Sequence, residues 1–91
     1  MLSKIPINLE KNSKKSLDIE MLRVAIIAEL DAINLYEQLS AATEDKKMKE
    51  VLLDVAREEK THVGEFQALL LRMDKEQVEE LKRGKEEIEK A

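Results

Sequence analysis

The stretch R-E-E-K-T-H-V-G-E-F, Arg57 to Phe66, contains the only histidine of the chain, His62, three residues after Glu59, and its only phenylalanine. At about 100° per residue, Met48, Leu52, Val55, Ala56, Val63, Phe66, Leu70 and Met73 fall on one helical stripe, and Glu59 lies in the middle of it. His62 flanks the stripe roughly 60° away. Glu58, also one turn from His62, falls farther out, so Glu59 is the inward carboxylate. An acid among apolar side chains is the anomaly on which both fold and function turn.

The preceding segment repeats it. From Leu17 to about Ala42 the chain reads as one unbroken helix whose main apolar stripe is Leu22, Ala25, Ile26, Ala32, Ile33 and Tyr36, with Glu29 at its centre. Ser16 is the expected N-cap, and Asp18 and Glu20 place negative charge near the helix start, where the dipole favours it. A short polar turn T-E-D follows, with Thr43 or Asp45 to cap a second helix over Lys46–Met73. Asp74, with Gln77 three residues on, resembles a capping box opening a short third helix that ends at Gly84. Residues 1–15, with the sole proline at Pro6, read as an extended arm, 16–73 as a two-helix hairpin, and 74–91 as a short helix and charged tail. The fold class is therefore all-α.

Counting places the two acids together. With the hairpin turning at Glu44, Glu29 lies fifteen residues before the turn and Glu59 fifteen after it, so antiparallel packing brings both to the same height, about 22 Å from the turn. Val24, Ile27, Ala28 and Leu35 form a second apolar surface on helix A that one hairpin cannot cover. A 91-residue chain also buries only about 60 to 65% of its unfolded surface. Both facts point to a homo-oligomer.

Composition narrows the chemistry. The absence of cysteine excludes disulfides, thiolate zinc sites and cysteine nucleophiles, and fits a reducing, cytoplasmic setting. A net charge of −4, from 20 acidic residues interspersed with 16 basic ones, offers no basic face to nucleic acid. No apolar run approaches the roughly 18 residues of a membrane span, and M-L-S-K-I-P-I-N-L-E lacks the apolar core of a secretory signal.

Two carboxylates facing one another in an apolar core repel and lose hydration, so either they are protonated or a cation sits between them. The bland alternative has each hydrogen-bonded to Tyr36 or water, or lying at an interface of a non-catalytic helical assembly. E-x-x-H is weak evidence alone: 15 of 91 residues are Glu, so one stands at any given offset from His62 with a chance of roughly one in six. The conjunction with an inward Glu29 at matched height is stronger. Di-iron carboxylate bundles take a Glu from each of two helices and a Glu-x-x-His from each of two more. This chain supplies one helix of each kind, so two copies would have to close the site with Glu29, Glu59 and His62 from both. Four carboxylates and two imidazoles suit Fe²⁺ or Mn²⁺ better than zinc. Tyr36 is then a hydrogen-bond donor beside the ligands or a redox-active phenol, with an interfacial aromatic as the plain alternative.

The spans A-I-I-A-E-L-D-A-I-N-L-Y-E-Q and L-D-V-A-R-E-E-K-T-H-V-G-E-F closely resemble the encapsulated ferritins, ferritin-like proteins packaged inside encapsulin nanocompartments. The resemblance covers about residues 17–83 and is most specific in E-x6-Y of the first helix and E-x-x-H of the second. It implies a ferroxidase, with Glu29, Glu59 and His62 as iron ligands and Tyr36 beside them. It also implies a ferritin-like four-helix bundle assembled from two hairpins, iron at the dimer interface, a decamer of five dimers, and iron storage in the surrounding encapsulin shell. Asp31 corresponds to an acidic site for incoming metal, whereas Ala28 and Leu35 depart from the family pattern. No targeting peptide is read in E-E-I-E-K-A, residues 86–91, which suggests a trimmed chain, a domain fused to a shell protein or a free relative. Rubrerythrin-like or manganese-dependent peroxide detoxification is the other enzymatic alternative, although rubrerythrins usually add a cysteine-rich iron site.

Overall fold

The computed structural model describes residues 14–91, and the arm expected over most of residues 1–15 lies outside them. Three helices follow one another: α1 over Lys14–Ala42, α2 over Lys46–Met73 and α3 over Lys75–Lys90. No strand occurs among the described residues. None of the helices is long and apolar enough to cross a membrane.

Local chemistry explains the two breaks. Thr43 closes α1 with its N–H donating to the Leu39 carbonyl at 3.1 Å, and its hydroxyl accepts from the Asp45 N–H at 3.2 Å. Of the two capping candidates Asp45 is the one used: its carboxylate accepts from the Met48 N–H at 2.8 Å. Asp74 serves both neighbouring helices. Its N–H donates to the Leu70 carbonyl at 2.9 Å, ending α2, and its Oδ1 accepts from the Gln77 N–H at 3.0 Å, starting α3 as an N-cap.

Two expected boundaries are corrected. The first helix already includes Lys14 and Lys15, so Ser16 lies inside it rather than at its N-cap, and Asp18 and Glu20 fall beyond its first described turn. The third helix does not stop at Gly84 but runs on to Lys90, so most of the supposed tail is helical. Glycine costs a helix interior about 1 kcal/mol against alanine but does not forbid it. Here the neighbours are good helix formers, with Arg83–Glu80 at 3.3 Å and Lys85–Glu89 at 3.8 Å on the surface. Gly84 itself has an ordinary negative φ.

The core is thin. Ala32, Ile33, Ala56 and Leu70 are the buried apolar residues among those described, all on the facing stripes of α1 and α2 that periodicity identified. Met48, placed on that stripe, is 51% exposed at the turn. The radius of gyration is 16.4 Å, against about 12 Å for a compact domain of this length. Met21 and Leu39 on α1 and Val51 and Leu69 on α2 are exposed on one side of the hairpin. Ile27, Leu30 and Leu53 are exposed on the other, with Leu81 of α3 also uncovered. The second apolar surface of α1 is thus present in Ile27 and Leu35.

Candidate metal centre

Glu29 reaches the site from α1 and Glu59 and His62 from α2. In an antiparallel pair, equal rotations away from the facing direction emerge on the same side of both helices. Glu29 and Glu59 each sit slightly to one side of the contact stripe, and His62 is rotated roughly 60° further that way. The three side chains therefore converge on one face of the hairpin. It is the face that carries Met21, Leu39, Val51 and Leu69.

One ligand atom from each of Glu29, Glu59 and His62 lies within 4.8 Å of the others, and no other such group of three or more occurs among the described residues. His62 Nδ1 is 3.4 Å from Glu29 Oε2 and 3.6 Å from Glu59 Oε2. The carboxylate side chains are only 18% and 19% exposed, while the imidazole is 43% exposed. Glu58, by contrast, is exposed, as its position on the helix requires.

The donor set can be tested against a metal on its own geometry. Glu29 Oε2 is buried without a hydrogen-bond partner; the imidazole Nδ1 of His62 stands 3.4 Å away, out of hydrogen-bonding geometry. A buried carboxylate oxygen left so is costly, by about 1–3 kcal/mol or more. A cation between the acids and the imidazole would satisfy it. Two hard oxygen ligands and one imidazole fit a first-row divalent ion, and three residues are too few to hold two such ions at five- or six-coordination. The residues fit half of a two-metal site.

The other expected residues fall elsewhere in the protomer. Tyr36 is half-buried and stands two turns, about 10 Å, along α1 from Glu29 on nearly the same face. Asp31 is half-buried but projects from the far side of α1, roughly 160° from Glu29, and is not part of the cluster.

Sequence periodicity overlooked Ser40. It is the buried polar residue among those described, 2% exposed, and its hydroxyl donates to the Lys49 carbonyl across the hairpin at 3.2 Å. The Lys49 ammonium returns a hydrogen bond to the Ser40 carbonyl. The available signal was a small hydroxyl residue on the apolar stripe, three turns beyond Glu29. At the open end, Arg23 Nη2 donates to Asp74 Oδ2 at 3.0 Å. Lys60 pairs with Glu37 at 3.1 Å on the exposed flank.

The chain is 62% identical over 82 residues to a ferritin-like-encapsulin shell fusion protein of Pyrococcus furiosus, which takes in 90% of this chain and 24% of that protein. It is 40% identical over 80 residues to an encapsulin nanocompartment cargo protein, EncC, of Myxococcus xanthus, covering 85% of this chain and 59% of that one. The chain thus spans about a quarter and about three fifths of these relatives. Among solved structures, the encapsulated ferritin domain from Pyrococcus furiosus superposes with a TM-score of 0.85 at 57% identity, over 99% of this chain and 92% of that one. A sequence model of the EncFtn-like family matches residues 6–84, the whole of α1 and α2 with α3 as far as Gly84, and the chain belongs to that family.

Proposed function

We propose that this protein is a ferroxidase that oxidises Fe²⁺ with dioxygen at a two-iron site formed between two copies, with iron as its substrate. The observation that carries this reading is the convergence of Glu29, Glu59 and His62 within 4.8 Å around a buried carboxylate oxygen that has no hydrogen-bond partner. The cluster opens on a face rich in exposed apolar residues. A second hairpin laid on that face about a twofold axis completes a four-helix bundle and doubles the ligand set to four carboxylates and two imidazoles. Four negative charges balance two Fe²⁺ ions.

Each part of the site then has a task. Glu29 and Glu59 hold the ions and can share an oxygen between them, keeping the two metals close. His62 adds a neutral nitrogen that leaves positions open on each ion for dioxygen. One electron from each Fe²⁺ reduces one dioxygen to the peroxide level, with two protons drawn from solvent. Tyr36, on the same face, is a hydrogen-bond donor or phenolic electron source beside the assembled site. Asp31, which projects from the far side of α1, is by resemblance to the encapsulated ferritins an acidic station for incoming Fe²⁺ apart from the cluster.

By resemblance to the encapsulated ferritins, the dimers assemble further, as a ring of five, and the oxidised iron is stored in an encapsulin compartment; the shell fusion and cargo relatives support the compartment. An anaerobic Fe²⁺ titration tests the chemistry. Saturation is expected near one ion per chain, followed by oxygen uptake in step with Fe²⁺ oxidation. A Glu29→Ala or His62→Ala protein that oxidises Fe²⁺ as fast as the parent overturns the reading.

A further inference from the structure

The height match between Glu29 and Glu59 requires something to hold it. Two apolar helix faces slide on one another at modest cost, and a slip of one residue moves a side chain by about 1.5 Å and turns it by about 100°. The apolar contacts here are few: Ala32, Ile33, Ala56 and Leu70. A ligand set needs its geometry held within about 0.5 Å by the surrounding side chains. The polar groups that cross between α1 and α2 are therefore the place to look.

Ser40 and Lys49 form a reciprocal pair at such a crossing. The Ser40 hydroxyl donates to the Lys49 carbonyl at 3.2 Å, and the Lys49 ammonium donates back to the Ser40 carbonyl. That carbonyl belongs to the last turn of α1, where backbone acceptors lack partners within the helix and the dipole favours a cation. The two bonds run in opposite directions between the same two residues. A one-residue slide of α1 along α2 breaks the Ser40 hydroxyl bond, which has no stem to follow with, and draws the Lys49 ammonium away from its place unless its flexible stem readjusts. Ser40 lies eleven residues after Glu29 and Lys49 ten residues before Glu59, so a register fixed at this crossing is transmitted along two rigid helices to the acids.

We propose that Ser40 and Lys49 are positioning residues that pin the hairpin register and thereby set the Glu29, Glu59 and His62 geometry. The proposal rests on the reading of that cluster as a metal site, but its geometric part can be judged without metal. The Arg23–Asp74 pair at the open end does not duplicate it, because Asp74 sits in the bend between α2 and α3 and Arg23 is 52% exposed. The Lys60–Glu37 pair is about half exposed on both sides, and pairs of that kind hold little.

The test uses the full chain with Ser40→Ala combined with Lys49→Met, with Lys49→Arg as the conservative variant. Leu70→Ala, at the far end of the core, measures a purely structural loss. The first readout is the ring resonance of His62 in metal-free protein, a single signal because the chain has one imidazole. The second is a Co²⁺ titration followed by visible absorption. The double variant is expected to displace the His62 signal and to weaken Co²⁺ binding by roughly tenfold or more. Lys49→Arg should restore both, and Leu70→Ala should lower the melting temperature while moving neither. A folded double variant with the parental His62 signal and Co²⁺ affinity overturns the proposal. If the double variant does not fold, Ser40→Ala alone is held to the same criteria. A parent protein that takes up no Co²⁺ sinks the metal-site reading instead, and the His62 signal still decides whether the pin exists.

Discussion

Glu29 and Glu59 are poorly matched to their surroundings unless something cationic joins them. Their side chains are less than one fifth exposed, close together, and share one exposed imidazole as their neighbour. Replacing either by glutamine removes the repulsion while keeping the shape. In metal-free protein, Glu29→Gln or Glu59→Gln is expected to stabilise the fold by about 1 kcal/mol, since a neutral amide loses less on burial than an ion. Thermal unfolding in a chelator measures this, and a comparable destabilisation would show that the carboxylate has a structural partner. The same substitutions should abolish saturable Fe²⁺ uptake. Much of this was legible beforehand because helical geometry is rigid: fifteen residues either side of Glu44, at a fixed rise, leave little freedom in where the acids meet. Ser40 was not legible, because a hydroxyl on an apolar stripe reads equally well as solvent-facing until the facing helix is placed.

The helices were drawn by periodicity and their ends by caps, and the two kinds of signal differ in reach. α2 follows the expected Lys46–Met73 span, since Asp45 and Asp74 both accept from the backbone N–H three residues on. α1 and α3 deviate where the signal was compositional. Ser16 was one of several residues able to cap, and Gly84 is a breaker only where the backbone needs an unusual φ or a stop in pairing. Nothing lies within 4 Å of a Cβ built on Gly84, so Gly84→Ala should stabilise α3 by up to about 1 kcal/mol. Loss of helicity by circular dichroism in that variant would contradict a helix continuing to Lys90. Asp45→Ala should cost about 1 kcal/mol by removing one cap. Asp74→Ala should cost more, because the same side chain also holds Arg23 at 3.0 Å, and denaturant unfolding of the two variants gives the comparison.

At the scale of the whole molecule, the protomer leaves apolar surface uncovered. A radius of gyration of 16.4 Å and exposed Met21, Leu39, Val51 and Leu69 are what a hairpin that pairs with a second copy would present. Placing a charge on the open face, as in Leu69→Glu or Val51→Asp, should dissociate the assembly and abolish Fe²⁺ binding together, because the face and the ligand set are continuous. Sedimentation of the variants alongside Fe²⁺ titration checks the coupling; a monomer that still binds the parental amount of iron would break it. The small size and the surplus apolar surface of α1 raise the expectation of a second copy, but of no particular ring size, which depends on the angle between two apolar faces that periodicity leaves undefined. The most direct measurement is anomalous diffraction at the iron edge from crystals grown with Fe²⁺. The expected result is a pair of iron ions about 3.5–4 Å apart, related by a twofold axis and held between them by Glu29, Glu59 and His62 of both copies. Iron held within a single chain, or no iron near these residues, would contradict a site that is whole only in the dimer.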